Sequence, residues 1–119
     1  MTRARETSEN ARQAKAWVNF DGTFGSSPFT LANGGIRSAF NVSSITDNGV
    51  GSYTMNFATA MPDANYSTFC TSPVVSTLTR NFSAGFDTAG YTAGSVNIRR
   101  ESSDGDPFDA SILCVAIFH

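Results

Sequence analysis

From residue 16 onward, the chain reads as short stretches with every second position apolar, separated by clusters of Gly, Asn, Asp, Ser and Pro. Ser52-Tyr-Thr-Met-Asn-Phe57 is the clearest case. Tyr53, Met55 and Phe57 fall on one face and Ser52, Thr54 and Asn56 on the other, the period of a half-buried strand. Ala16–Phe20 is a strand that stops at Asp21-Gly22, a turn signal. Thr23–Gly35 is rich in Gly, Ser and Phe and holds a tight turn at Asn33-Gly34-Gly35. Ile36–Val42 alternates in part, Ser43–Ile45 leads into a turn over Thr46–Gly51, and the two strands flanking Asp47-Asn48-Gly49 pair as an antiparallel hairpin. Met61–Asn65 is a break, because Pro62 has no N–H to give a ladder.

Beyond the break, Tyr66–Ser72 and Val74–Asn81 are strand candidates on either side of Pro73. Phe82–Gly94 reads as loop, with Gly85, Gly90 and Gly94 among aromatics. Ser95–Arg100 alternates through Val96 and Ile98, Glu101–Asp109 is an acidic loop, and Ala110–His119 is nearly continuous apolar. So apolar a closing strand is expected to lie centrally in a sheet and to be covered at least partly on both faces. The pattern predicts an all-β fold, an antiparallel β-sandwich of about 7–8 short strands.

Residues 1–15 break this pattern. They have no Gly or Pro, hold four of the chain's eight basic residues (Arg3, Arg5, Arg12, Lys15), and offer only Ala4, Ala11 and Ala14 as small apolar positions. Ala, Arg, Glu and Gln favour a helix, yet a helix near the ~12–15-residue limit with almost no apolar face is marginal alone. The segment is expected to be a short arm, helical or extended, for oligomerisation or attachment. Ala4, Ala11, Ala14 and the adjoining Trp17 are its interface candidates, with Trp17 placed to close the base of an oligomer. The division is arm 1–15 and β domain 16–119.

Composition narrows the function classes. Charged residues are 15% of the 119 and the net charge is −2, with no basic run longer than Arg99-Arg100, so nucleic acid is not an expected partner. No apolar stretch approaches the ~20 residues of a membrane-spanning helix. The polar N-terminus has no apolar signal segment. Cys70 and Cys114 sit in apolar, strand-like contexts and are expected to be buried thiols. Two Cys and one His do not make a four-ligand zinc site.

Catalytic constellations are not evident. The single histidine, His119, is terminal, and Asp21, Asp47 and Asp63 fall beside Gly, Asn or Pro, where Asp stabilises turns. The chain is expected not to be an enzyme and to need no cofactor. Asp104-Gly-Asp-Pro-Phe-Asp109 has the oxygen ligands of a calcium loop but not the length or terminal Glu of an EF-hand, so it reads as a solvated acidic loop. Asn41, Asn65 and Asn81 each head an Asn-X-Ser triplet, which chance supplies in a chain this rich in Asn and Ser. Arg80, Phe82, Phe86, Asp87 and Tyr91 form the binding candidate. Aromatics spaced among glycines can stack on sugar rings while Arg and Asp bond hydroxyls, and loops on a rigid framework concentrate binding residues.

Three ordered strings carry a family resemblance. They are Lys15-Ala-Trp-Val-Asn-Phe-Asp-Gly-Thr23, Ile36-Arg-Ser-Ala-Phe-Asn-Val-Ser-Ser-Ile-Thr-Asp-Asn-Gly49 with Tyr53-Thr-Met-Asn-Phe57, and Ala60-Met-Pro-Asp-Ala-Asn-Tyr66. With the ending Val115-Ala-Ile-Phe-His119, this order resembles a small β module of bacteriophage tail-fibre and related virion proteins, closely over Lys15–Asn65 and again in the last strand. The resemblance implies a non-enzymatic virion structural protein made in the host cytoplasm. It implies a homotrimer whose arm contacts other virion proteins and whose tip binds a host surface glycan or protein. Such modules often end a long fibre, whereas a 14-residue arm spans only ~21 Å even as a full helix. A stand-alone tip is therefore expected, with a capsid decoration (head-fibre or cement) protein or a structural tail connector as alternatives.

Overall fold

The computed structural model describes residues 13–72, 80–84, 90–102 and 109–119. Its strands are β1 (Ala16–Phe20), β2 (Ile36–Phe40), β3 (Val42–Gly49), β4 (Ser52–Phe57), β5 (Ser67–Thr71), β6 (Arg80–Ala84), β7 (Ser95–Ser102) and β8 (Leu113–Phe118). They form two four-stranded sheets, β2-β1-β8-β5 and β3-β4-β7-β6, and every pairing between neighbouring strands is antiparallel. The fold is all-β, and no α-helix occurs among the described residues. Of the arm expected to be helical or extended, residues 1–12, with Ala4 and Ala11, lie outside them, and residues 13–15 are not helical.

Alternation decides which side of each strand is buried. Ala16, Val18 and Phe20 of β1, Tyr53, Met55 and Phe57 of β4, and Leu113, Val115 and Ile117 of β8 all enter one core. That core is shared between the sheets: the Phe20 ring of the first lies 5.2 Å from the Tyr53 ring of the second, edge to face. Phe29, from the loop between β1 and β2, completes the cluster at 6.2 Å from each. Burying one such side chain contributes about 1.5–3 kcal/mol, so these rings are a main source of cohesion between the sheets.

Two polar clips fix the connections. The buried Tyr53 hydroxyl lies 2.9 Å from Gly22 O and 2.6 Å from Asp109 Oδ1, and Asp109 Oδ1 also accepts from Gly51 N at 2.7 Å. Residue 22 must be glycine here: a Cβ would stand 2.5 Å from the Tyr53 hydroxyl and 2.6 Å from the Ala110 carbonyl, and the latter is backbone. At the crossing from β2 to β3, Asn41 adopts φ 56°. Its amide donates to Lys15 O at 3.1 Å and Thr59 O at 3.0 Å, and its Oδ1 accepts from Thr59 N at 2.6 Å. The Asn-X-Ser triplet at Asn41 is thus a structural clip.

Three expectations are adjusted in placement. The β3–β4 hairpin turns at Val50-Gly51, the last two residues of the expected Thr46–Gly51 turn, because β3 continues to Gly49. The strand expected over Val74–Asn81 begins at Arg80 and runs to Ala84; residues 73–79 lie outside the described set. Phe82 is consequently a strand residue paired with Arg100, not a loop residue. β8 lies centrally, between β1 and β5, and is covered at least partly on both faces as expected: Leu113, Val115 and Ile117 are buried, and Cys114, Ala116 and Phe118, which alternate outward, are half-buried. Arg100, at 1% exposure, continues the inward positions of Val96 and Ile98 along β7.

Candidate functional site

Tyr91 is the binding candidate whose side chain the structure places. It is half-buried and forms an isolated antiparallel bridge with Val96. The turn that follows is tight, with Thr92 N donating to Ser95 O at 2.9 Å and Ser95 N to Thr92 Oγ1 at 3.0 Å. The Tyr91 ring lies 5.3 Å from Tyr66, tilted by 46°. Tyr66 is anchored twice: its ring meets Phe57 edge to face at 5.6 Å, and its hydroxyl lies 2.8 Å from both Thr92 O and Ser95 O, donating to one at a time. Burial pushes the Tyr66 phenol up to about 12, against a smaller opposing effect of the Thr92 backbone bond, so it is neutral at physiological pH.

Ala64, Asn65, Tyr66 and Tyr91 line an open cleft of about 350 Å³. Asn65 is held by its backbone N–H, which donates to Asp63 Oδ1 at 2.8 Å, and the same oxygen lies 2.8 Å from Nε2 of His119. The terminal residue is therefore docked, and its hydrogen bond to Asp63 is the main reason that carboxyl sits below its usual value. None of the named lining residues is charged. Their chemistry is stacking on a flat apolar face from Tyr91 and hydrogen bonding from the Asn65 amide, which suits a saccharide ring or a neutral peptide segment. The volume is at the lower end for a small-molecule site.

Of the other binding candidates, Arg80 and Phe82 lie on β6, an edge strand of the second sheet, and Phe86 and Asp87 fall outside the described residues. Tyr66 and Asn65 are not among the binding candidates read from the sequence, where Asn65 appears only as the head of an Asn-X-Ser triplet. Their contact with Tyr91 joins segments 25 residues apart, and nothing local in either segment signals it.

A second feature lies on the outward face of the first sheet. Trp17, expected in the core or at an interface, points outward at 39% exposure, while Phe20 is buried. The register places Phe40, Trp17, Ala116 and Phe69 side by side across β2, β1, β8 and β5. Phe40 is 53% and Phe69 58% exposed, and Phe118 packs edge to face on Phe69 at 5.5 Å. Ala14 is half-buried beside the start of β1.

The cysteines lie on adjacent β5 and β8 but out of register, Cys70 opposite Val115 and Cys114 opposite Thr71, and both are free thiols. Burial pushes the Cys70 thiol up to about 12. Among the described residues no group of three or more His, Cys, Asp or Glu is placed to hold a metal ion, and no helix is long and apolar enough to cross a membrane. The acidic loop considered for calcium lies outside the described residues except for Asp109, which serves the Tyr53 clip. No protein-family model, curated protein or solved structure matches the chain.

Proposed function

We propose that the chain is a non-enzymatic structural protein of a bacteriophage particle, a β-sandwich tail-fibre tip that attaches to the host cell surface. In this reading residues 1–15 are a short arm that joins the tip to other virion proteins, and the tip is a homotrimer. The ligand is a host surface glycan or protein. The observation that carries the adhesive role is the uncharged cleft that Tyr91, its ring tilted against a doubly anchored Tyr66, lines together with Asn65. A small, open, aromatic site of this kind binds weakly alone, and three copies on one tip supply avidity without any new contact.

Two measurements test this proposal. An epitope label on intact virions, viewed by electron microscopy, is expected at the tail or its fibres; label over the head overturns the tail reading in favour of capsid decoration. The isolated protein is expected to bind host cells and Tyr91→Ala to lose that binding with its β-sheet spectrum intact. Undiminished binding by a folded Tyr91→Ala protein removes the cleft from the proposal.

A further inference from the structure

We infer that the outward face of the β2-β1-β8-β5 sheet is the surface through which copies of this chain pack together. The inference rests on the homo-oligomer reading above and names its interface. An antiparallel sheet with one solvated face ordinarily alternates apolar inward and polar outward, and the second sheet does so. Across β3, β4 and the start of β7 its outward positions are Ser, Thr and Asn bonded to one another: Asn56 Nδ2 reaches Ser44 Oγ at 3.1 Å and Thr46 Oγ1 at 3.0 Å, and Thr54 Oγ1 reaches Asn97 Oδ1 at 2.9 Å, with the charged Arg99 outward beyond them. The first sheet departs from the rule along a whole row, Phe40–Trp17–Ala116–Phe69, from one edge strand to the other.

Area, charge and shape favour a second copy as the occupant. At roughly 200 Å² per aromatic side chain, the exposures of Trp17, Phe40 and Phe69 leave about 300 Å² of apolar surface in water. Phe118, Cys114 and Ala116 extend it toward the roughly 450–500 Å² of apolar area in one partner's half of a standard interface. The row carries no charge. Ionic groups border it: Lys15 just before β1, Arg37, which bonds Asn19 and faces Asp21 at 3.9 Å, and the His119–Asp63 pair just after Phe118. Such a face meets its own copy without like-charge repulsion and offers an anionic polymer or headgroup no attraction. The chain's own residues 1–12 are a poor cover, because they include five charged side chains and no large apolar one beyond Met1. The same face also holds both a projection and a hollow. Trp17 and Phe69 stand on either side of Ala116, leaving a depression of about 220 Å³ that Cys114 also borders, while Phe40 projects from the far edge. A surface with both shapes is complementary to a copy of itself.

The test is sedimentation velocity on the full chain, wild type against Phe40→Arg/Phe69→Arg, with Leu31→Arg/Val50→Arg as a control at exposed apolar positions elsewhere. Wild type and control are expected to assemble alike, and the paired face variant to dissociate at least ~100-fold more readily with an unchanged circular dichroism spectrum. A folded face variant that assembles like wild type overturns this interface while leaving the oligomer. A wild type that stays monomeric at about 100 μM, where an interface of this class is formed, overturns the oligomer reading as well. A readout without substitutions uses Trp17, the only tryptophan. Its acrylamide quenching is expected to fall as the wild type assembles, and equal quenching in assembled and dissociated protein overturns the proposal.

Discussion

Removing the Tyr53 hydroxyl isolates one atom's share of the fold. The side chain is fully buried, and its O–H is the buried donor at a point where Gly22, after β1, meets Asp109, before β8. In Tyr53→Phe the ring keeps its packing on Phe20 and Phe29, but the Asp109 carboxylate oxygen retains only the Gly51 N–H among these partners. A hydrogen bond to a charged group contributes about 1.5–3 kcal/mol. The phenylalanine no longer desolvates a hydroxyl, which returns part of that, so the expected loss is about 2 kcal/mol. For a chain of this size, about 3–5 °C per kcal/mol gives a fall in melting temperature of about 6–10 °C. Urea unfolding followed by circular dichroism at fixed protein concentration is the assay, since assembly would otherwise add its own stabilisation. Unchanged m-values would show that the denatured state is the same.

The same residue has a second signature at high pH. Burial first, then the bond and charge of Asp109, hold the Tyr53 phenol well above its ordinary 10.0. The unfolded chain therefore releases this proton earlier than the folded one, and wild type loses stability as pH rises above 10. Tyr53→Phe lacks that contribution, so the gap between the two proteins is expected to narrow above pH 10. A variant within about 0.5 kcal/mol of wild type at neutral pH, inside the ordinary range of a surface substitution, with a parallel alkaline limb, would refute the assignment of a stabilising clip to this hydroxyl.

Three further outcomes follow from the same geometry. Asn41→Ala is expected to cost about 2–3 kcal/mol in urea unfolding, from an alanine forced to positive φ and from bonds lost to Lys15 and Thr59; Asn41→Gly should recover about 1 kcal/mol by relieving the backbone alone. The Asp63–His119 contact lowers the Asp63 carboxyl, so its stabilisation is present above 3.8 and disappears as pH falls below it; thermal melts of wild type and Asp63→Asn should differ at pH 5 and converge toward pH 2. With the Cys70 thiol pushed up to about 12, its thiolate fraction at pH 8 is about 10⁻⁴, and thiol labelling resolved by mass spectrometry should find Cys70 at least ~100-fold slower in native than in urea-unfolded protein.

The strands that could be read from the sequence are those whose alternation is complete within one segment. β4 was legible because Tyr53, Met55 and Phe57 enter the core while Thr54 and Asn56 face outward. β1 and β8 were legible for the same reason, and the exposure of Trp17 fits the period of 2 that buries Val18 and Phe20. β6 was misplaced because its Asn81-Phe82-Ser83-Ala84 alternation is only four residues long and runs straight into Gly85, and its partner β7 supplies the ladder. Arg100 could not be foreseen inside, since its inward position depends on how far β7 keeps its register with β4. Of the cleft, Tyr91 was visible as an aromatic in a glycine-rich stretch; Tyr66 and Asn65 were not, because only the fold brings them to it. The aromatic row is cross-strand information of the same sort. Phe40, Trp17 and Phe69 are isolated aromatics in three separate segments, and they become a surface only through the registers of β1 with β2 and of β8 with β1 and β5.

The position of β8 bears on the order of synthesis. The strand at the heart of the first sheet is the last of the eight to leave the ribosome. Until it arrives, β1 and β5 have no common neighbour. Each can hold local contacts, such as the β1–β2 hairpin, but the core side of β1 has neither Val115 nor Ile117 to pack against. Closing a loop from residue 20 to residue 113 costs only a few kcal/mol of entropy, yet it cannot happen before the final segment exists. A chain cut short before Leu113 therefore lacks the middle of a sheet rather than an edge, and it splits the aromatic row between Trp17 and Phe69. Synthesis of β8 becomes the condition for completing the first sheet, and chains ended before it are left without the surface through which copies would join.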